Sequence, residues 1–87
     1  MPVEERVDAF MKRFEEDAGA AYPVSEFYYW HGHLTGSCAM GRDAFAKNNG
    51  INKQGSMCVR EFLTLTQGAY GGEIIRMVEE RFAEDRV

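Results

Sequence analysis

Apolar residues recur at helical spacing in three stretches of this chain, and that periodicity points to a helical fold. Val3, Val7, Phe10, Met11 and Phe14 share one face of a helix running from about residue 3 to Asp17. Pro2 suits its first turn, Glu4, Glu5 and Asp8 complement the positive end of its dipole, and Gly19 stops it. Val59, Phe62, Leu63, Thr66, Ala69 and Tyr70 line one face of another helix, capped by Ser56 and ended by Gly71-Gly72. A last helix, from Glu73 to about Glu84, turns Ile74, Ile75, Val78 and Phe82 inward and Glu79, Glu80 and Glu84 outward. Between these, Ser37 caps a shorter helix whose inward side is Cys38, Gly41, Ala44 and Phe45. It closes at Asn49-Gly50, with Ile51 folding back after the cap.

Residues 20 to 35 break the pattern. Pro23 interrupts any continuing helix, Phe27-Tyr28-Tyr29-Trp30 puts four aromatics in a row, and Gly32 separates the two histidines, His31 and His33. Consecutive aromatics favour extended backbone but do not alternate as a half-buried strand does. With no second strand candidate nearby to pair with, the segment reads as a loop holding a short extended piece or a single helical turn. The expected fold is therefore all-α, one domain over residues 1–87, of about four helices with a long aromatic loop between the first two. Its expected core is Val7, Phe10, Phe14, Phe45, Phe62, Leu63, Ile75, Val78 and Phe82.

An 87-residue chain has room for one hydrophobic core. With 45% apolar residues, among them six Phe and four Tyr, it has the composition of a folded domain rather than a disordered one. It contains no apolar run long enough to span a membrane, and Met1 to Arg13 carries acids and lacks a signal peptide's apolar centre. The expected compartment is cytoplasmic, where Cys38 and Cys58 stay as free thiols without a disulfide. The net charge of −4 is unevenly spread. Residues 31–60 hold Arg42, Lys47, Lys53 and Arg60 against the single acid Asp43, while both ends are acidic. A basic middle suits an anion or nucleic-acid site; the favoured reading is that acidic helices pair with basic ones.

Several constellations bear on chemistry. His31, His33, Cys38 and Cys58 are the right types and number for tetrahedral zinc, but finger sites use two close pairs, and Cys58 has no local second ligand. The alternative has both cysteines as small buried residues and both histidines packed on aromatics. Cys38 at a helix start, with His31 or His33 as base, has the elements of a nucleophilic cysteine but no orienting third group. The stretch His33-Leu34-Thr35-Gly36-Ser37-Cys38-Ala39-Met40-Gly41 is similar to a local signature of the glucose-methanol-choline oxidoreductases, where a His precedes Gly-x-Cys-x-Met-Gly near the flavin. The similarity stops at these residues and lacks a dinucleotide-binding glycine fingerprint, so it implies no cofactor here. The second and third helices loosely fit a helix-turn-helix, though their connection is long and the third offers Arg60 and Gln67 opposed by Glu61.

Tyr28, Tyr29 and Trp30, beside His31 and His33, remain as a surface for a partner, since Trp and Tyr dominate binding hot spots. The expected function is a non-enzymatic interaction or regulatory module that meets a protein partner or its own second copy. The rivals are a zinc domain on His31, His33, Cys38 and Cys58, and a nucleic-acid reader. No small-molecule substrate and no membrane role emerge.

Overall fold

The computed structural model describes residues 2–15 and 17–85. In chain order they form α1 (Val3–Phe14), β1 (Tyr22–Pro23), α2 (Val24–Thr35), α3 (Ala39–Asn48), β2 (Ser56–Met57), α4 (Val59–Thr66) and α5 (Gly72–Asp85). The fold is mostly helical as expected, with five helices rather than four. The extra one is α2, which occupies the expected aromatic loop. The anticipated continuation of the first helix to Asp17 passes through Glu16, outside the described residues; α1 itself ends at Phe14.

The aromatic segment is helical because its buried residues keep helical phase. Val24, Phe27, His31, Leu34 and Thr35 point inward, and the neighbouring Tyr28, Tyr29 and Trp30 distribute over the remaining circumference. Pro23 precedes this helix rather than breaking it, since the ring sits where no intrahelical N–H is needed. Gly36 ends it in the left-handed conformation, at φ 77°, and donates its N–H to the Gly32 carbonyl at 2.8 Å.

The strand partner missing from the sequence reading is Ser56-Met57. It pairs antiparallel with Tyr22-Pro23 in the register Tyr22↔Met57 and Pro23↔Ser56. Ser56 therefore belongs to β2, and Cys58, with extended backbone, precedes α4 instead. That helix stops at Thr66, so Ala69 and Tyr70 lie in the turn before α5. The ribbon ties the connection after α3 to the start of α2, helped by the Val24 N–H on the Gly55 carbonyl at 3.0 Å.

Four helices share one core. Phe14 of α1 stacks on Phe27 of α2 with ring centroids 5.4 Å apart, and Phe27 stacks on Phe62 of α4 at 4.8 Å. Phe10 touches Phe62 and the edge of Phe82 from α5. Val7, Leu34, Val59, Ile75 and Val78 fill the space around the rings. Each fully buried side chain of this size contributes roughly 1.5–3 kcal/mol, and each well-set ring pair about 0.5–1.5 more.

Phe45 does not join this core. It is half-buried, and α3 buries only Ala46; Cys38, Gly41 and Ala44, expected to face inward, are exposed. Polar contacts attach α3 at its flanks: Tyr28 donates to the Arg42 carbonyl at 3.1 Å, and Lys53 bonds Asp43 at 2.8 Å. Lys53–Asp43 lies within the basic middle block, while Arg13–Glu26 and Arg81–Asp8 tie α1 to α2 and α5.

Phe62→Ala is expected to cost about 3 to 5 kcal/mol, near the whole stability of so small a domain. Phe45→Ala, with less burial to lose, is expected to cost under about 1.5 kcal/mol. Denaturant unfolding of the two variants checks the contrast; equal losses would place Phe45 in the core after all.

Candidate functional site

Because α3 stands off the aromatic core, a groove of about 650 Å³ opens between α2, α3 and α4. Helix α2 contributes Val24, Phe27, Tyr28 and His31; α3 contributes Gly41, Arg42, Ala44 and Phe45; α4 contributes Phe62, Leu65 and Thr66. Met57 and Ile51 come from the ribbon and its connection. Most of this lining is apolar. Tyr70, 70% exposed, and Leu65, 38% exposed, carry the apolar surface from the groove out to solvent. The volume lies inside the range of about 300–1,000 Å³ usual for ligand sites.

Polar groups converge on Ser37. The Ser37 hydroxyl lies 2.7 Å from His31 Nδ1 and 3.0 Å from Arg42 Nη1, and the same guanidinium nitrogen donates to the Ser37 carbonyl. Thr35 Oγ1 donates to the His31 carbonyl at 2.7 Å and accepts the Ser37 N–H at 3.2 Å, which shapes the turn out of α2. Arginine only donates, so the Ser37 oxygen accepts from Arg42, and it shares one proton with His31 Nδ1, given by the hydroxyl or by the ring according to the tautomer. Burial first, and the Arg42 charge second, hold His31 below the ordinary imidazole pKa.

Two buried nitrogens here lack partners, His31 Nε2 and the donor Arg42 Nε, and Arg42 forms no ion pair among the described residues. Gly32 makes room for this guanidinium: a Cβ there would come within 2.5 Å of Arg42 Nη1. That accounts for a glycine inside α2 despite a helix cost of roughly 1 kcal/mol relative to Ala.

The expected partner-binding residues do not make one surface. Tyr28 and His31 face the groove, and Tyr28 also carries Lys53 over its ring at 5.4 Å. Burial first, with the Asp43 charge behind it, pushes the Tyr28 phenol up. Tyr29, 62% exposed, stacks on His33 at 5.9 Å on a different face of α2. Trp30 is half-buried with its ring against Phe10 at 5.5 Å, so it belongs partly to the core.

The zinc quartet does not assemble, since no three His, Cys, Asp or Glu side chains gather at a metal-binding geometry among the described residues. Both cysteines are free thiols at the starts of α3 and α4. Cys38 accepts the Gly41 N–H at 3.4 Å, and the hydroxyl bonded to His31 belongs to Ser37 next door. Sequence reasoning missed Thr35, Ser37 and Arg42 as a cluster. The usable signal was Gly32, once the segment is drawn as a helix.

No family model, no curated protein and no solved structure matches this chain.

Folded His31 resists protonation more than it does in the unfolded chain. Its contribution to stability is thus complete above the unfolded imidazole pKa of about 6.5 and is lost as pH falls below it. Unfolding free energy is expected to drop between about pH 7.5 and 5.5, a window chosen above the carboxylate range. His31→Gln is expected to flatten that drop; an unchanged slope in the variant would mean another group controls it.

Proposed function

We propose that the domain is a non-enzymatic binding module whose groove between α2, α3 and α4 receives an apolar group. The observation that carries this is the groove itself, a largely apolar cleft of about 650 Å³ on a chain of only 87 residues. Apolar clefts of this size in small domains are usual ligand or partner sites. The bonding of His31 supports binding over catalysis: its Nδ1 is taken up by Ser37 and its Nε2 is buried, so the ring is held in the structure rather than presented to a substrate. Among the described residues no helix is long and apolar enough to cross a membrane, and the free thiols suit a reducing, cytoplasmic setting.

An uncharged apolar probe tests the groove. Decanol titrated into isotope-labelled protein is expected to move the amide signals of Phe45, Ile51, Leu65 and Thr66 together. Ala44→Trp, which plugs the groove from an exposed position, is expected to abolish those shifts. Changes scattered evenly over the surface would remove the groove as the binding element.

A contact with a protein partner or a second copy is a separate reading, favoured by the exposed Tyr29–His33 stack. Tyr29→Ala is expected to leave stability within about 0.5 kcal/mol while weakening association measured by sedimentation. Trp30→Ala is expected to destabilise by more than about 1 kcal/mol, since it uncovers Phe10 and Phe14. Unchanged association in Tyr29→Ala would remove that face as the contact.

A further inference from the structure

We infer that the groove binds a single-chain amphipathic carboxylate, with its head group against Arg42 and its apolar chain along Phe45, Ile51, Phe62 and Leu65. The inference rests on the groove being the binding element and adds the chemistry of what it takes.

The polar end of the groove holds a positive charge without a counter-ion. Arg42 is half-buried and spends its Nη1 on two neutral acceptors, both from Ser37. Asp43, its chain neighbour, is engaged by Lys53 instead. A cation taken partly out of water calls for an anion, and a planar guanidinium matches the two oxygens of a carboxylate best. The two buried nitrogens without partners, Arg42 Nε and His31 Nε2, belong to side chains that meet at the same serine and both line the groove. Arg42 Nε is a donor, and an unsatisfied buried donor is costly, so an acceptor beside this guanidinium is favoured.

With Asp43 held by Lys53, the hydrogen bonds of this guanidinium go to neutral acceptors, and such a single cation fits a monoanion better than a phosphate ester or a polyanion. The wider field agrees with the sign. The α3 wall of the groove belongs to the basic middle block, which carries Arg42, Lys47, Lys53 and Arg60 against Asp43 inside a chain that is acidic elsewhere. Most of the rest of the lining is aliphatic and aromatic surface, which calls for an apolar remainder on the ligand.

Decanoate and decanol, compared by calorimetry and by the same amide signals near neutral pH and below micelle formation, separate charge from chain. Decanoate is expected to bind about tenfold more tightly, a difference of about 1.4 kcal/mol. Arg42→Met is expected to erase that advantage, so that the variant binds the two amphiphiles equally. Should this variant fold poorly by circular dichroism, Gly32→Ala keeps the cation but displaces it from Ser37, and it is expected to reduce the decanoate advantage in the same direction. Equal affinity for the two amphiphiles in the wild type would overturn the carboxylate inference while the apolar groove stood. Retained preference in a folded Arg42→Met would overturn the role of Arg42. No groove shifts with either amphiphile would overturn the groove reading itself.

Discussion

The stack of Phe14, Phe27 and Phe62 sets the rest of the molecule, because it takes one ring from each of three helices. Phe27 is the middle ring, 5.4 Å from one neighbour and 4.8 Å from the other. Fixing it between α1 and α4 fixes the rotation of α2. Once that rotation is set, helical geometry leaves no freedom for the other residues of the run. Residues 28 and 31 are carried toward α3, while residues 29 and 33 are carried to solvent on another face. A buried ring pair thus determines where polar chemistry appears on the surface.

The second constraint is local and opposes helix propensity. Gly32 weakens α2, yet any side chain there would collide with the Arg42 guanidinium. The exchange keeps Arg42 beside Ser37, and Ser37 beside His31, across the turn from α2 to α3. Gly71, left-handed at φ 79°, shows the same close approach: a Cβ there would meet Thr35 at 2.5 Å, the residue that shapes the same turn. Two glycines distant in sequence therefore clear space around one polar cluster.

The sequence is legible where one face alone is apolar. On α1, α4 and α5 the inward residues are separated by charged ones, so Val7, Phe10, Phe62, Leu63, Ile75 and Val78 read directly as core, and all are buried. It is illegible in α2, where both the inward and the outward faces carry aromatics and no charged residue interrupts Phe27 to Trp30. Misplacing that helix hid Phe27 and Leu34 from the core and Ser37 and Arg42 from the site, since their meeting depends on α2 ending at Gly36. Helix α3 fails differently. Its Phe45 and small residues look like an inward stripe, but what that stripe faces is the groove, a distinction carried by volume and not by periodicity.

That difference also decides how the site works. Helices α1, α2, α4 and α5 are locked by buried rings and branched side chains, whereas α3 buries a single alanine and is otherwise attached by hydrogen bonds and an exposed ion pair. An element with so little buried apolar contact belongs at the low-stability end of a domain, and exposed pairs add little to it. The Phe14–Phe27–Phe62 stack takes no ring from α3, so the core does not depend on that wall of the groove. Arg42 stands on α3 and His31 on α2, so the two groups that meet at Ser37 come from the lightly packed wall and from a firmly packed one.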